Sequence, residues 1–248
     1  HTKVSYGFSA DATVRAEASA VTYTSDDART PTGMQCTARV RGADIPLSIS
    51  GSLGRQHVYP MLAAVALVDA LGFNTTEAVS VLLGHESPKG RMRIIPGING
   101  ATIIDDTYNS SPVAVEEALS TLKAIEAKGK KIAVLGDMLE LGMYTEREHV
   151  RVGTYAKECV DVIVTIGLRA EDFITGAVAA GMDKNMTHMY PEPTAAMNYL
   201  KKHVGEHDVV LVKGSQGMRL ERIVQVLMKD PEQAKELLVR QEKEWEHR

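Results

Sequence analysis

The sequence predicts an α/β fold in two parts, the second a doubly wound, mainly parallel sheet. Three observations carry that prediction. Five short apolar runs recur at 101–106 (ATIIDD), 131–136 (KIAVLG), 161–166 (DVIVTI), 186–190 and 208–213 (DVVLVK). Helical periodicity fills the gaps between them, and continuous apolar strands alternating with helices are the pattern of a parallel sheet covered on both faces. Residues 1–50 differ: they are rich in Thr, Val, Ser and Ala with short alternations (VTYTS, MQCTARVRG, IPLSIS), which predicts several short antiparallel strands.

The helices follow in order. Residues 57–71 (HVYPMLAAVALVDAL) put Leu62, Val65, Ala66 and Val68 on one broad apolar face, with Gly72 as a stop. Pro60 fits that helix only in its first turn, where its missing N–H costs nothing. Asn74 and Glu77 have capping-box spacing for a second helix ending near Gly84. The stretch HESPKGRMRIIPGING is rich in Gly, Pro and charge, placing a domain boundary near Pro96 and dividing the chain into 1–95 and 96–248. Beyond it, helices are predicted at 112–127, 145–159, 168–180, 193–204 and 219–228. Ser111 is the expected N-cap and Pro112 the N1 residue of the first, and Thr145 and Glu148 are spaced as a capping box for the second. From Asp230 and Pro231 to Arg248 the sequence reads as a charged surface helix holding the only tryptophan, Trp245.

Composition narrows the partners. At 248 residues there is room for one large or two ordinary domains. Lys and Arg number 28 against 32 Asp and Glu, a net charge of -4, and no dense basic patch precedes the tail, which argues against nucleic acid. No apolar run reaches the roughly 18 to 20 residues of a membrane span. The start, HTKVSYGF, lacks a signal pattern, so a cytoplasmic protein is expected. Cys36 and Cys159 stand far apart without a CxxC or Cys/His cluster, giving no support for a disulfide framework or structural zinc. His1 leads at once into alternating sequence, as if cut from the middle of something longer, although removal of a tag or leader would look the same.

The polar clusters lie where the apolar runs end. In IIDDTYNSSP (Ile103 to Pro112) a strand closes on two carboxylates, Asp105 and Asp106, followed by Tyr108 and Asn109. Gly136, Asp137 and Glu140 follow the second run; Lys213, Gly214 and Ser215 follow the last. The carboxyl ends of strands in an open α/β sheet form the crevice where ligands bind. The same residues also serve as turn formers and strand caps, and spacing alone does not separate the two roles. Arg91, in KGRM, is either a solvated linker arginine or a planar fork able to hold a phosphate between two domains. No Gly-Lys-Ser/Thr loop and no GxGxxG turn occurs, so the chain carries neither phosphate-binding fingerprint.

In order and spacing, GRQHVYPMLAA (Gly54 to Ala64), KGRM (Lys89 to Met92), IIDDTYNSSP, VLGDMLELG (Val134 to Gly142) and VLVKGSQGMRLERIV (Val210 to Val224) resemble the Mur ligase family over nearly the whole chain. The DNPR motif expected of its diaminopimelate-adding branch is absent, as is the GAHNP-like motif of the folate-polyglutamating relatives. The resemblance therefore implies the branch that adds D-alanyl-D-alanine to UDP-N-acetylmuramoyl-tripeptide in peptidoglycan precursor synthesis. It implies an ATP-dependent amide ligase working through an acyl phosphate, with ATP and Mg²⁺ as cofactors. Residues 1–95 would then be the last part of the central ATP-binding domain, and 96–248 a Rossmann-like C-terminal ligase domain.

Residue by residue, Arg91 resembles the hinge arginine that reaches the ATP phosphates, and Asp106 the neighbouring aspartate that contacts the ribose. Tyr108 and Asn109 lie in the YN-x-x-P turn lining the nucleotide pocket, with His57 also on the nucleotide side. Lys213, Gly214 and Ser215, together with Asp137, match the dipeptide side. No metal ligand is expected within this chain. Where the family reads HNVYNALAA this chain reads QHVYPMLAA, so Gln56, His57 and Pro60 replace His, Asn and Asn, and Pro60 brings no amide to an adenine. The P-loop and the Glu and Lys metal ligands do not occur, so the chain alone is expected to be inactive and to need the missing N-terminal part as a partner. The alternative is a non-catalytic nucleotide- or partner-binding module derived from such a ligase.

Overall fold

The computed structural model describes residues 3–26, 29–82 and 86–245. Its first sheet runs in the order β1 (Tyr6–Gly7), β2 (Val14–Tyr23), β3 (Pro31–Val40) and β4 (Ala43–Ser50). β2, β3 and β4 form the expected antiparallel meander, whereas β1 pairs parallel to β2. The strands are longer than the alternations suggest, because β2 continues through a register shift between Glu17 and Ala20. A bulge of this kind re-aims a strand without ending it.

One face of this sheet is covered by α1 (Val58–Ala70) and α2 (Thr75–Leu82). Cys36, Ala38, Ile45, Leu47 and Ile49 pack there against Val58, Met61, Leu62 and Val65. Pro60 does sit in the first turn of α1, whose N-cap is His57. The helix stops at Gly72, with Gly72 N–H donating to Asp69 O at 3.1 Å and Phe73 N–H to Val68 O at 3.0 Å. Asn74 caps α2 through its Oδ1, which accepts from Thr76 and Glu77 N–H at 3.0 and 3.3 Å. The expected end of α2 near Gly84 lies outside the described residues.

The second sheet has the order β5-β6-β10-β7-β8-β9. β6 (Thr102–Asp106), β10 (Val209–Lys213), β7 (Lys131–Gly136), β8 (Val162–Ile166) and β9 (Thr187–Tyr190) are parallel, each within a residue of its predicted position. β5 (Arg93–Pro96) was not expected as a strand; it pairs antiparallel with β6, Arg93 opposite Asp105. This strand precedes the division expected at Pro96, and the segment that enters it is 86–92.

Helices cover both faces of that sheet, as doubly wound topology requires. On one side α3 (Pro112–Ala124), α4 (Thr145–Ala156) and α5 (Glu171–Ala179) bury Leu119, Leu122, Val152 and Phe173 against Ile104, Ala133, Leu135 and Leu211. On the other, α6 (Pro193–His203) and α7 (Glu221–Leu227) bury Leu200, Ile223 and Val224 against Ile103, Val134, Val164 and Val212. Ser111 caps α3 as expected, its side chain accepting from Ala114 N–H at 3.4 Å. The Thr145–Glu148 capping box does not form. Thr145 is already helical and donates to Gly142 O at 2.8 Å, while Glu148 pairs with Arg147 and Arg151.

Two further expectations are corrected. α7 starts at Glu221, because Arg219 before it adopts φ 55. The tail is not one surface helix: α8 (Ala234–Leu237) is a single turn, after which the chain extends at Leu238 and turns through Arg240 at φ 58. Leu238 and Arg240 are both buried, so the tail is bonded into the domain rather than solvated along it.

α4 and α5 approach closely through glycine. A Cβ on Gly153 would lie 2.0 Å from Phe173 O, and one on Gly176 2.0 Å from Val150 O. We expect Gly153→Ala to force these helices apart and lower unfolding stability by about 3 kcal/mol. Urea denaturation of wild type and variant checks this; an unchanged midpoint would show that the helices give way freely.

Candidate functional site

The candidate site begins at the carboxyl ends of β6 and β10, which lie side by side with Lys213 opposite Asp106. Strand alternation sends the two aspartates of β6 to opposite faces. Asp106 follows Ile104, and its Oδ1 accepts from Met92 N–H at 3.2 Å. Its Oδ2 meets the Lys213 ammonium at 2.7 Å. Lys213 is 2% exposed and donates also to Asn109 O at 2.9 Å. One buried lysine thus joins β10, the end of β6 and the loop beyond it.

Asp105 points the other way. Its Oδ1 accepts from Thr107 N–H at 3.2 Å and Thr107 Oγ1 at 2.6 Å, while Oδ2 is buried without a hydrogen-bond partner. Burial pushes its carboxyl up to about 6; the Thr107 hydrogen bonds oppose the rise, and the charges of Asp106 and Glu221 add to it.

Above this base stand the exposed groups. Arg91 places its guanidinium 4.2 Å from the ring centroid of Tyr108, a cation–π contact with both residues open to solvent. The backbone fixes this pair: Tyr108 N–H donates to Gly90 O at 3.0 Å. His57 supports Arg91 from the first unit, with Nε2 3.0 Å from Arg91 O and Nδ1 3.2 Å from Ser87 Oγ. A carbonyl only accepts, so Nε2 carries the proton and Nδ1 accepts from the serine. The Asn109 side chain is exposed beside Tyr108. Arg91, Asp106, Tyr108, Asn109, His57 and Lys213 therefore form one continuous set.

The remaining candidates lie along the same edge in different company. Ser215 Oγ accepts from Leu139 N–H at 2.8 Å, and Ser215 N–H donates to Asp137 O at 3.1 Å. Asp137 Oδ1 accepts from Arg169 and Ala170 N–H at 3.0 and 2.7 Å, capping the start of α5. Gly214 leaves no room for a side chain: its Cβ would meet Leu220 Cδ1 at 2.8 Å and Gly136 Cα at 3.2 Å. The Gln56 side chain lies against Gly54.

Three buried residues that support this edge went unmarked in the sequence. His149 lies in α4, with Nδ1 2.7 Å from Thr145 O and Nε2 accepting from Met138 N–H at 3.0 Å; burial holds its pKa below the usual histidine value. Glu221 and Arg240 pair at 3.1 Å behind the β6 loop. A histidine four residues after the start of a helix was the one local signal; the ion pair left none.

Among the described residues no group of three His, Cys, Asp or Glu could hold a metal ion, and no helix is long and apolar enough to cross a membrane. The family model for the Mur ligase glutamate ligase domain matches residues 90–216, just over half of the chain. The chain belongs to the Mur ligase family. A UDP-N-acetylmuramoyl-tripeptide–D-alanyl-D-alanine ligase of Bacillus subtilis is 32% identical over 180 residues, covering 72% of this chain and 39% of the relative. That of Escherichia coli is 29% identical over 180 residues, covering 71% and 38%. The chain thus spans about two-fifths of the length of these curated relatives. Among solved structures, the MurF ligase of Thermotoga maritima, in complex with ADP, aligns over 92% of this chain and 48% of its own, with TM-score 0.73 and 22% identity. MurF of Acinetobacter baumannii aligns over 89% and 45%, with TM-score 0.71 and 23% identity. At those identities the likeness establishes the Mur ligase fold.

Two outcomes follow from the buried charges. An ordinary aspartate titrates near 3.9, so with a folded value of about 6 the folded state holds the Asp105 proton more tightly than the unfolded chain does. Its unfavourable contribution is absent below about pH 4, grows as pH rises and is complete above about 6. We expect Asp105→Asn to stabilise the protein at pH 7.5 by on the order of 2–3 kcal/mol, with the gain fading toward pH 4. Thermal melts across that range check it, and a pH-independent difference would contradict the assignment. Lys213→Met strands a buried carboxylate and should cost about 3–5 kcal/mol in chemical denaturation, a loss that Asp106→Asn in the same chain partly relieves.

Proposed function

We propose that this chain is the closing portion of an ATP-dependent amide ligase that adds D-alanyl-D-alanine to UDP-N-acetylmuramoyl-tripeptide. The observation that carries this is the Arg91–Tyr108 pair, an exposed guanidinium resting 4.2 Å from a tyrosine ring centroid at the carboxyl edge of a parallel sheet. Joining a carboxylate to an amine needs a leaving group better than oxide, and ATP supplies it by converting the tripeptide carboxylate to an acyl phosphate. The dipeptide amine then attacks that carbonyl and phosphate departs. Fixed cations favour both steps by meeting charge where it gathers.

Each residue takes a part in that scheme. Arg91 faces the phosphates, and its planar fork suits their oxygens. Tyr108 orients it, and the Asn109 side chain extends the same rim. Asp106 has both oxygens engaged, by Met92 N–H and by Lys213, so it holds the linker in place rather than offering a free carboxylate to a ribose. His57 anchors Arg91 to the first unit through its backbone. The loops after β7 and β10, bearing Asp137, Gly214 and Ser215, form the side that takes the dipeptide. On this reading the Mg²⁺ ligands would come from the rest of the ligase.

With MgATP, D-alanyl-D-alanine and UDP-N-acetylmuramoyl-tripeptide, we expect no phosphate release from this chain alone and steady release from the full ligase containing it. Arg91→Ala in that ligase should lower kcat/KM for ATP about 100-fold while leaving the melting temperature in place. Turnover by the chain alone, or full activity of the variant, would overturn the assignment. A full-length protein that binds nucleotide without turnover would instead be a non-catalytic binding module, the direction in which Gln56 and Pro60 point.

A further inference from the structure

The tail after α7 reaches both halves of the candidate site. Lys89 Nζ donates to Lys235 O at 2.9 Å, and a Cβ on Gly90 would lie 3.1 Å from Val239 Cγ1, so the tail packs on the segment leading to Arg91. Arg240 then turns inward at φ 58, a conformation uncommon for an arginine. Its Nη1 donates to Thr107 O at 3.0 Å and its Nη2 to Tyr108 O at 2.5 Å. The same Nη1 lies 3.1 Å from Glu221 Oε2, and Glu221 has no exposed surface. Beyond it, Trp245 lies near two guanidiniums, Arg219 at 5.3 Å and Arg240 at 5.8 Å from its ring centroid.

Tyr108 is therefore held at both ends of its peptide. Its N–H is bonded to Gly90 in the linker, and its carbonyl to Arg240 in the tail. A carbonyl pair clamped by one planar fork has little freedom to rotate, which fixes the backbone from which the Tyr108 ring projects toward Arg91.

We infer that the C-terminal tail, anchored by Arg240 on buried Glu221, is a positioning device that sets the Tyr108–Arg91 pair for nucleotide phosphates. This rests on the nucleotide role proposed above for Arg91. Arg240 acts through Thr107 and Tyr108 and is a positioning residue; it need not touch substrate. Its influence belongs on the affinity for ATP more than on the bond-making step.

The test uses the full ligase containing this chain, with Arg240→Lys and Trp245→Ala. Lysine keeps the charge beside Glu221 but lacks the fork that spans two carbonyls. Trp245→Ala removes the ring beside the Arg240 guanidinium and so loosens its hold on Thr107 and Tyr108 without changing Arg240 itself. We expect backbone amide exchange across 105–110 and 88–92 to rise about tenfold in Arg240→Lys and about threefold in Trp245→Ala. KM for ATP should rise in parallel, with kcat within about twofold of wild type. Wild-type exchange and wild-type KM in Arg240→Lys would overturn the inference, as would a fall in kcat at constant KM. If Arg240→Lys does not fold, Trp245→Ala decides by the same two readouts. If the wild-type ligase shows no ATP dependence, the nucleotide reading fails, and loop exchange alone decides whether the tail holds Tyr108.

Discussion

The Lys213–Asp106 ion pair is the contact on which the geometry of this edge depends. Lysine at the end of a central strand is costly to bury, and it stays there because two oxygens meet its ammonium. The ammonium takes Asp106 Oδ2 and Asn109 O, and Asp106 passes its second oxygen to Met92 N–H. Three segments distant in sequence, 91–92, 106–109 and 213, are thereby fixed relative to one another. Neutralising either partner alone would release all three, since the survivor would be a bare charge in a dry place.

The adjacent aspartates gain separate meanings from strand alternation. Asp106 looks toward the face covered by α3 and meets the linker; Asp105 looks toward the face covered by α7 and meets Thr107. Behind Asp105 lies a second charge system, in which Arg240 and Arg219 surround Glu221. The loop that carries Tyr108 is thus gripped from both faces of the sheet. Asp105 is the weak member, with one oxygen buried and without a hydrogen-bond partner, and that burial raises its pKa.

Much of the fold was legible because parallel strands buried on both faces are continuous apolar runs. ATIIDD, KIAVLG, DVIVTI and DVVLVK, alternating with helical segments, pointed to parallel strands, and Ser111-Pro112 pointed to the start of α3. β5 escaped notice because four residues, RIIP, in a Gly- and Pro-rich stretch carry no period and gain strand character by pairing with β6 on one side and bridging to Ser52 on the other. The tail was misread for a related reason: its charges suggested solvent, yet Arg240 is drawn inward by Thr107, Tyr108 and Glu221, residues 19 to 133 positions away. For the site, sequence named the residues at strand ends but not their partners. Nothing local shows that Lys213 turns inward, or that Asp137 spends its carboxylate on the start of α5.

The direction of β5 has a mechanical consequence. Because it runs antiparallel to β6, the chain enters the second unit at the carboxyl edge of the sheet, with Arg93 level with Asp105. A first strand running the other way would bring the linker in at the amino edge, about 16 Å off over five residues. The segment 86–92 that joins the two sheets and the carboxyl rim of the second sheet consequently lie together. Any swing of one unit about 86–92 sweeps the far helices through a wide arc while moving Arg91 and Tyr108 through a short one. The groups at this rim are the ones a rotation would disturb least.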